Sequence, residues 1–282
     1  MTLAMSSWLK PGVPFSWWVN LSKGMKKMMR ETRIPIDFDY GFLAGVVHEP
    51  AQGYEYAVIM CHGFRGSKDG GGRAVEVAQR AAEAGFAVLR FDFTPQQILS
   101  RQVEEVKAVV KYCRANIASR IILFGRSMGG SACLAYAAQN KNVEGLCLWS
   151  TPIDLEETFR LSLGQEIYDA LASGKEVSIF DEFGTLELGP EFLVDFSRFN
   201  FKTLAKEFSG GPVLIVHGTE DEVVPLRQAQ TLYSLLNVPK RLEIIDGGDH
   251  RFVRCYDRAA AAVLGWLTEQ FCRPHTKPFA RP

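Results

Sequence analysis

The sequence lacks the features of a membrane protein, a nucleic-acid binder or a repeat protein. It has no uninterrupted apolar run near 18 residues, the length that a transmembrane helix needs. Its 32 Lys and Arg residues are balanced by 32 Asp and Glu residues, so no net charge attracts nucleic acid or an anionic membrane to its surface. No internal repeat or low-complexity tract is visible. These absences predict no nucleic-acid partner and no integral membrane segment.

The cysteines show neither a C-x-x-C pair nor a spacing typical of metal ligands. The six residues are scattered, mostly in apolar segments, at Cys61, Cys113, Cys133, Cys147, Cys255 and Cys272. This distribution is typical of buried thiols in a reducing compartment, whereas a disulfide framework belongs to small secreted domains. We therefore expect a cytoplasmic protein without a metal site.

The composition is that of an ordinary globular protein. The chain has 282 residues, of which 47% are hydrophobic and 23% charged. A chain of this length can bury a full core, and one α/β domain with an insertion accounts for it.

Residues 1–33 differ from the rest because they are both aromatic and basic. They contain Trp8, Phe15, Trp17 and Trp18, then Lys23, Lys26, Lys27, Arg30 and Arg33, with Glu31 as the one acid. Lys10 and Pro11 interrupt the apolar segment, so we expect no secretory signal peptide. We interpret the segment as an arm that packs its tryptophans on the domain. The alternative is a peripheral contact with a membrane surface or a partner.

From residue 34 onward, short apolar runs alternate with helical patterns. Strands are predicted at 34–47 (a pair turning near 40–41), 56–61, 86–93, 121–124, 143–149, 213–216 and 241–245. Helices are predicted at 75–82, 99–113, 128–138, 226–236 and 253–271. Continuous apolar strands separated by helices indicate a mostly parallel sheet that is covered on both faces.

The stretch 153–208 breaks this alternation. It is rich in Phe, Leu, Glu and Asp, and its section 177–188 is typical of a hairpin turning at Gly184. We therefore divide the chain into an arm (1–33), an α/β core (34–152 and 209–272), an insertion over one end of the sheet (153–208) and a tail (273–282).

Residues 125–129, G-R-S-M-G, fit the pattern G-x-S-x-G. The pattern stands between a predicted strand and a helix of small residues. A serine at such a sharp turn needs glycine neighbours because other Cβ atoms would clash there. The helix N-terminus behind the serine favours developing negative charge. Ser127 is therefore the candidate nucleophile.

A serine hydroxyl needs a base, and the base needs an acid to orient it. Histidines stand at His48, His62, His217, His250 and His275. His250 follows the last predicted strand, on a loop that returns to the carboxyl ends of the strands, and is our candidate base. The loop opened by His217 supplies Asp221 as the candidate acid. We expect Glu220 and Glu222 to be solvated charges and Asp249 to stabilise its own loop.

An acyl-transfer site also needs two backbone N–H donors for the oxyanion. Met128, which follows the nucleophile, is one candidate. The second is Phe64, in the turn after the strand 56–61, where Gly63 and Gly66 permit close approach of the backbone. We expect His62 to be a structural histidine beneath this loop.

Together these motifs resemble the α/β-hydrolase superfamily. They are H-G-F at 62–64, G-x-S-x-G-G at 125–130, H-G-x-x-D-x-x-V-P at 217–225 and G-D-H at 248–250. The pattern is most similar to small-capped carboxylesterases, including the cinnamoyl (feruloyl) esterases and serine-aminopeptidase-like hydrolases, over residues 35–272. The resemblance implies an eight-stranded core with the insertion as a lid over the acyl site. In the cinnamoyl esterases the lid and its hairpin help to hold the aromatic acyl group.

The chain departs from these relatives after the strand that ends in F-D-F at 91–93. Relatives carry a Gly-rich loop of the form R-G-x-G-x-S there, followed by a longer connection. In this chain T-P-Q-Q at 94–97 leads almost directly into the next helix. The shortening should remodel one wall of the pocket entrance and leave the triad unchanged.

The sequence thus predicts a serine hydrolase that cleaves carboxylic esters through an acyl-enzyme, with a small-molecule ester as its partner and no metal or organic cofactor. The insertion contributes candidate substrate-binding residues, namely Phe159, Leu161, Phe180, Phe183, Phe192 and Phe196. Packing of the lid onto the body is the alternative role for most of them. Alternative functions are a peptidase or amidase, an acyltransferase, or a binding module with an idle triad.

Overall fold

A computed structural model describes residues 29–39, 41–95, 97–181 and 184–272. The predicted tail and the part of the arm before residue 29 lie outside the described residues. The strands are β1 (Arg30–Phe38), β2 (Gly41–Glu49), β3 (Tyr56–Cys61), β4 (Ala87–Phe91), β5 (Arg120–Arg126), β6 (Gly145–Trp149), β7 (Val177–Asp181), β8 (Gly184–Leu188), β9 (Val213–Gly218) and β10 (Lys240–Ile245).

Eight of these strands form one sheet in the order β1-β2-β4-β3-β5-β6-β9-β10. The pairs β1–β2 and β2–β4 are antiparallel. The other pairs in this sheet are parallel. The predicted α/β class with a mostly parallel eight-stranded sheet is therefore confirmed.

Helices cover both faces of this sheet. They are α1 (Arg73–Glu83), α2 (Leu99–Asn116), α3 (Met128–Asn140), α4 (Leu155–Leu163), α5 (Gln165–Ala172), α6 (Glu191–Val194), α7 (Phe201–Glu207), α8 (Leu226–Leu235) and α9 (Tyr256–Phe271). Helices α2, α3 and α8 pack on one face, and α1 and α9 on the other. Strand β3 is apolar throughout because both of its faces are buried. Ile59 and the residues two positions away from it pack in one core, while Val58 and Met60 pack in the other.

Most element boundaries differ from the sequence prediction by a few residues, and two of these differences have a clear structural cause. Strand β1 begins at Arg30, where it pairs with Glu49, so the last residues of the predicted arm already belong to the sheet. Helix α9 begins at Tyr256 instead of residue 253 because residues 249–255 form turns after the last strand. Both shifts arise from tertiary pairing and turn formation, which apolar periodicity does not report.

The insertion 153–208 contains helices α4 to α7 and a hairpin of β7 and β8. Buried polar side chains fix it to the body of the protein. The Asp195 carboxylate accepts hydrogen bonds from Ser100 N at 2.7 Å and Ser100 Oγ at 2.6 Å, at the start of α2. Gln228 Oε1, in α8, accepts from the N–H groups of Ile153 and Asp154 at 2.9 Å each. The two attachments connect the insertion to two different helices of the body, α2 and α8.

Candidate active site

Ser127 occupies a sharp turn between β5 and α3. Its backbone has φ 52° and ψ −130°, a conformation that a residue with a side chain adopts only under constraint. Glycines make the turn possible, because a Cβ at Gly125 would lie 2.5 Å from Gly130 Cα. A Cβ at Gly129 would lie 2.7 Å from Cys61 O, at the end of β3. The turn therefore needs the three glycines of the motif, and it presents Ser127 at the carboxyl end of the sheet.

Asp221 and His250 reach Ser127 from the loops that follow β9 and β10. His250 Nε2 lies 3.1 Å from Ser127 Oγ. His250 Nδ1 lies 3.0 Å from each carboxylate oxygen of Asp221. All three residues are largely buried, with exposed fractions of 7% for Ser127 and 8% for each of the others. The structure thus brings the three sequence-predicted residues within hydrogen-bonding distance in the order serine, histidine, aspartate.

The surroundings of Asp221 favour its charged form. Burial alone would raise its pKa, but the His250 side chain and the Val224 N–H stabilise the carboxylate and hold the pKa below its usual value. Oδ1 accepts hydrogen bonds from Val223 N at 3.0 Å and Val224 N at 2.8 Å. The carboxylate is therefore both ionised and fixed in orientation at neutral pH.

His217, at the end of β9, lies beside this carboxylate without competing for Ser127. Its Nε2–H donates to Val224 O at 2.7 Å, and Asp221 Oδ2 is 3.4 Å from the same nitrogen. Burial lowers the pKa of His217, which keeps the ring neutral near pH 7.

The H-G-F loop at 62–64 packs against the turn that holds the nucleophile. A Cβ at Gly63 would lie 2.9 Å from Ser127 Cβ. His62 Nδ1–H donates to Gly63 O at 2.9 Å, and its Nε2 accepts from Phe93 N at 3.1 Å. Burial lowers the pKa of His62, so the neutral ring stabilises the loop through these two hydrogen bonds. Among the described residues, neither Phe64 N–H nor Met128 N–H has a hydrogen-bond acceptor.

Three of the candidate substrate-binding aromatics form one buried cluster with Phe64. Phe159, Phe192 and Phe196 are at most 6% exposed. The Phe64 ring lies 5.2 Å from the Phe159 ring and 5.4 Å from the Phe192 ring, centre to centre. Phe196 completes the cluster at 5.2 Å from Phe159 and 4.9 Å from Phe192. The cluster therefore joins the insertion to the loop beside Ser127.

Leu161 and Phe180 do not join this cluster. Leu161, on the outer side of α4, is 51% exposed, and Phe180, in β7, is 84% exposed. In the hairpin Val177 and Ile179 face inward, so the alternation of a strand turns Phe180 outward. Phe183 lies outside the described residues.

Charged side chains on two different segments contact the main chain of His250. Glu222 Oε2 accepts from His250 N at 3.1 Å, and Arg126 Nη2 donates to His250 O at 3.2 Å. Glu222 is exposed, as expected, but its carboxylate also makes this contact to His250, which the sequence did not predict. Asp249 does stabilise its own loop, through a 2.7 Å bond from Val253 N to its Oδ1. No sequence signal separates Glu222 from Glu220, because both flank Asp221.

The shortened connection after β4 is tied to its surroundings by buried polar groups. Glu105, fully buried in α2, accepts from the backbone N–H and the hydroxyl of Thr94. Burial raises the pKa of Glu105. Gln97 has φ 57° and is 8% exposed, and its Oε1 accepts from Arg65 N at 3.1 Å. The loop at 94–97 thus contacts the chain next to Phe64.

The six cysteines are all free thiols, and four of them are buried. Among the described residues, no helix combines the length and apolar character needed to cross a bilayer. No group of three His, Cys, Asp or Glu side chains in the described ranges could hold a metal ion.

Comparison with known proteins gives one family and several structural relatives. The acetyl xylan esterase (AXE1) family model matches residues 37–269. The uncharacterized protein YfhR of Escherichia coli is 29% identical over 177 residues, which are 60% of this chain and 54% of that protein. The chain therefore spans about half the length of the curated relatives it matches.

Solved structures share the fold. Est1E from Butyrivibrio proteoclasticus superimposes with a TM-score of 0.74 at 23% identity, covering 86% of this chain and 99% of that one. Est1E has also been solved with ferulic acid bound. Dienelactone hydrolase from Anabaena variabilis gives a TM-score of 0.63 at 18% identity, covering 87% of this chain and 98% of that one.

Proposed function

Because the chain belongs to the acetyl xylan esterase (AXE1) family, we propose that it hydrolyses carboxylic esters with Ser127, His250 and Asp221 as its catalytic triad. One observation carries the proposal. His250 Nε2 lies 3.1 Å from Ser127 Oγ while its Nδ1 lies 3.0 Å from Asp221, on buried residues at the carboxyl end of a parallel sheet. This is the arrangement that activates a serine nucleophile.

In the first step Ser127 Oγ attacks the acyl carbon of the ester, and His250 Nε2 accepts the hydroxyl proton. The ionised Asp221 holds the proton of His250 on Nδ1, which leaves Nε2 free to act as the base, and it stabilises the imidazolium that forms. The tetrahedral intermediate then collapses. His250 delivers the proton to the leaving alcohol, and an acyl-Ser127 ester remains.

The negative charge of the tetrahedral oxygen needs donors beside Ser127. Phe64 N–H and Met128 N–H fill this role in our proposal. The close packing of Gly63 on Ser127 and the lack of an acceptor for either N–H among the described residues support this assignment. Met128 also opens helix α3, whose N-terminus favours negative charge.

In the second step water attacks the acyl-enzyme. His250 takes a proton from the water and returns it to Ser127, releasing the carboxylic acid. These steps use the side chains named above, two backbone amides and water, so the reaction requires no metal or organic cofactor.

We further propose that the insertion 153–208 is a lid over the acyl group, on a core of residues 34–152 and 209–272 that β1 extends back to Arg30. The packing of Phe159, Phe192 and Phe196 on Phe64 supports this role, because Phe64 lies in the loop beside the nucleophile. Two acyl groups merit testing: acetyl, from the family, and hydroxycinnamoyl, from the ferulic acid bound to Est1E. The buried free thiols favour a reducing compartment, and we propose the cytoplasm.

The test compares the wild type with Ser127→Ala on p-nitrophenyl and methyl esters from acetate through octanoate to hydroxycinnamates. We expect kcat to fall at least about 1,000-fold in the variant. Ser119→Ala, at an exposed serine, is the matched control and should keep full activity. The preferred acyl group identifies what the lid accommodates.

The same panel separates the alternative functions. A wild type that is inactive on every ester but is labelled at Ser127 by a fluorophosphonate would indicate amide substrates. Faster product formation with added alcohol, giving a new ester, would indicate acyl transfer. A protein that shows neither turnover nor labelling would contradict the catalytic proposal and favour a binding module.

A further inference from the structure

We propose that Glu222 and Arg126 are positioning residues that hold the main chain of His250 from its two sides, an inference that rests on the proposed triad. Glu222 Oε2 accepts from His250 N at 3.1 Å. Arg126 Nη2 donates to His250 O at 3.2 Å. The base is thus restrained at both its backbone groups as well as at both its ring nitrogens.

The restraint matters because His250 lies in a turn and not in a helix or strand. Residues 246–255 form turns between β10 and α9. Outside regular structure, a backbone N–H and C=O have no ladder of neighbouring hydrogen bonds to fix them. The ring bonds to Asp221 and Ser127 set the plane of the imidazole, but they do not fix the position of its Cα.

The signs of the two charges match the groups they contact. The carboxylate of Glu222 meets an N–H dipole, and the guanidinium of Arg126 meets a carbonyl oxygen. Hydrogen bonds with one ionised partner are shorter and stronger than neutral ones. Exchange of the two side chains would set like partial charges against each other.

Each of these residues is covalently next to a member of the triad. Arg126 is the last residue of β5 and precedes Ser127, while Glu222 follows Asp221. A displacement of the nucleophile turn or of the acid loop therefore moves the main chain of the base in the same direction. This coupling preserves the distances from His250 to Ser127 and Asp221.

Arg126 lies on the opposite side of the sheet from the insertion. In β5 it points to the same face as Phe124, two residues earlier, whose ring packs on Trp149 in the core beneath α1 and α9. Burial and the neighbouring Arg251 lower the pKa of Arg126, yet a guanidinium keeps its charge at neutral pH. Its contact to His250 is thus made from beneath the site, away from the side that the lid would cover.

Residues 251–253, which follow His250, are also fixed by hydrogen bonds and by aromatic packing. Arg73, at the start of α1, donates to Arg251 O at 3.1 Å and to Val253 O at 3.4 Å. Phe252 is fully buried with φ 51° and packs on Trp149 with ring centres 5.1 Å apart. These contacts fix the loop beyond His250, and the two proposed residues fix His250 itself.

The test measures kcat and KM separately for Glu222→Ala, Glu222→Gln and Arg126→Lys on the best ester substrate. We expect Glu222→Ala to lower kcat about 10-fold with KM unchanged within about 2-fold, because a displaced base slows the chemical steps and leaves substrate binding intact. Glu222→Gln keeps an oxygen that accepts from His250 N and should stay within about 3-fold of the wild type. Arg126→Lys, which cannot reproduce the guanidinium geometry, should also lose kcat about 10-fold.

Charge-matched controls come from the same loops. Glu220→Ala and Arg254→Ala remove an exposed acid and an exposed arginine and should leave both constants unchanged. Thermal unfolding of every variant separates a loss of kcat from a loss of folded protein, and Glu222→Ala, at an exposed residue, should melt within about 2 °C of the wild type.

Several results would overturn the positioning role while leaving the triad intact. Equal activity of Glu222→Ala and Glu220→Ala would exclude the contact as a factor in catalysis. Equal losses in Glu222→Ala and Glu222→Gln would mean that the oxygen acceptor retained by glutamine does not hold His250 N, which contradicts the positioning role. A rise in KM at constant kcat would make Glu222 a substrate-binding residue. An inactive wild type would instead refute the proposed function.

Discussion

His48 lies fully buried in strand β2, and its burial should make the folded protein less stable as the pH falls. Arg90, itself only 2% exposed, donates from Nε to His48 Nε2 at 3.0 Å. This nitrogen must therefore be the unprotonated acceptor, so the proton of the neutral ring resides on Nδ1. Glu31 pairs with His48 across β1 and β2, and its Oε2 lies 3.6 Å from His48 Nδ1.

These surroundings work against a charged ring. Burial lowers the pKa of His48 from 6.5 to about 4, and the Arg90 guanidinium contributes to the fall, while Glu31 and Asp69 oppose it. In the unfolded chain His48 becomes protonated below about pH 6.5, whereas in the folded protein it becomes protonated only near pH 4. A difference of about 2.5 pH units corresponds to about 3 kcal/mol of unfolding free energy, lost progressively between those two values.

The comparison that isolates this effect is between the wild type and His48→Gln. The glutamine oxygen can accept from Arg90 Nε and does not titrate. Urea unfolding at several pH values from 8 to 5 should show the wild type losing about 2 kcal/mol relative to the variant over that range. His62 and His217 also have lowered pKa values, but they contribute to both proteins and cancel in the difference.

Parallel stability curves for the two proteins would refute this reasoning. They would mean that the ring titrates equally in the folded and unfolded chains, and hence that the Arg90 contact does not hold it neutral. A difference that grew above pH 7 would also contradict the argument, because no change in His48 protonation is expected there.

Two further substitutions test the turn at Ser127 and the attachment of the insertion. Gly129→Ala would push a Cβ into Cys61 O and should cost more than about 2 kcal/mol in thermal unfolding, or prevent folding altogether. Asp195→Ala removes both acceptors from Ser100 and should lower the unfolding free energy by about 1–2 kcal/mol in urea. Asp195→Asn keeps one acceptor oxygen and should lose less, and equal losses would point to charge rather than hydrogen bonding.

The sequence predicted the structure best where burial or the chemistry of the site restricts which residues a segment can contain. The run 56–61 predicted strand β3 at its observed bounds because a strand buried on both faces must be apolar throughout. The motifs around Ser127, Asp221 and His250 follow β5, β9 and β10, which belong to the parallel part of one sheet; β9 and β10 are neighbours, and β6 separates β5 from β9. Parallel strands end at one edge, so the fold class alone predicted that these residues meet.

Contacts between distant segments were beyond sequence reasoning. Arg126 and His250 are 124 residues apart, and no periodicity connects a strand end with that turn. Phe180 and Leu161 were chosen for their apolar side chains, but the direction of each depends on how the insertion folds onto the body. Their exposure is set by the packing of α4 and the hairpin, which composition does not encode.

Phe64 carries a constraint on how this protein can change over generations. Its ring is part of the packed aromatic cluster in the insertion, and its N–H faces the nucleophile turn in our proposal. A smaller residue at Phe159 or Phe192 would leave a gap in this aromatic packing, and the Phe64 ring, and with it the amide, would relax into the gap. If Phe64 N–H binds the oxyanion as we propose, substitutions in this cluster change the substrate range and the turnover rate together, and a variant that accepts a larger acyl group must still keep the Phe64 ring in place.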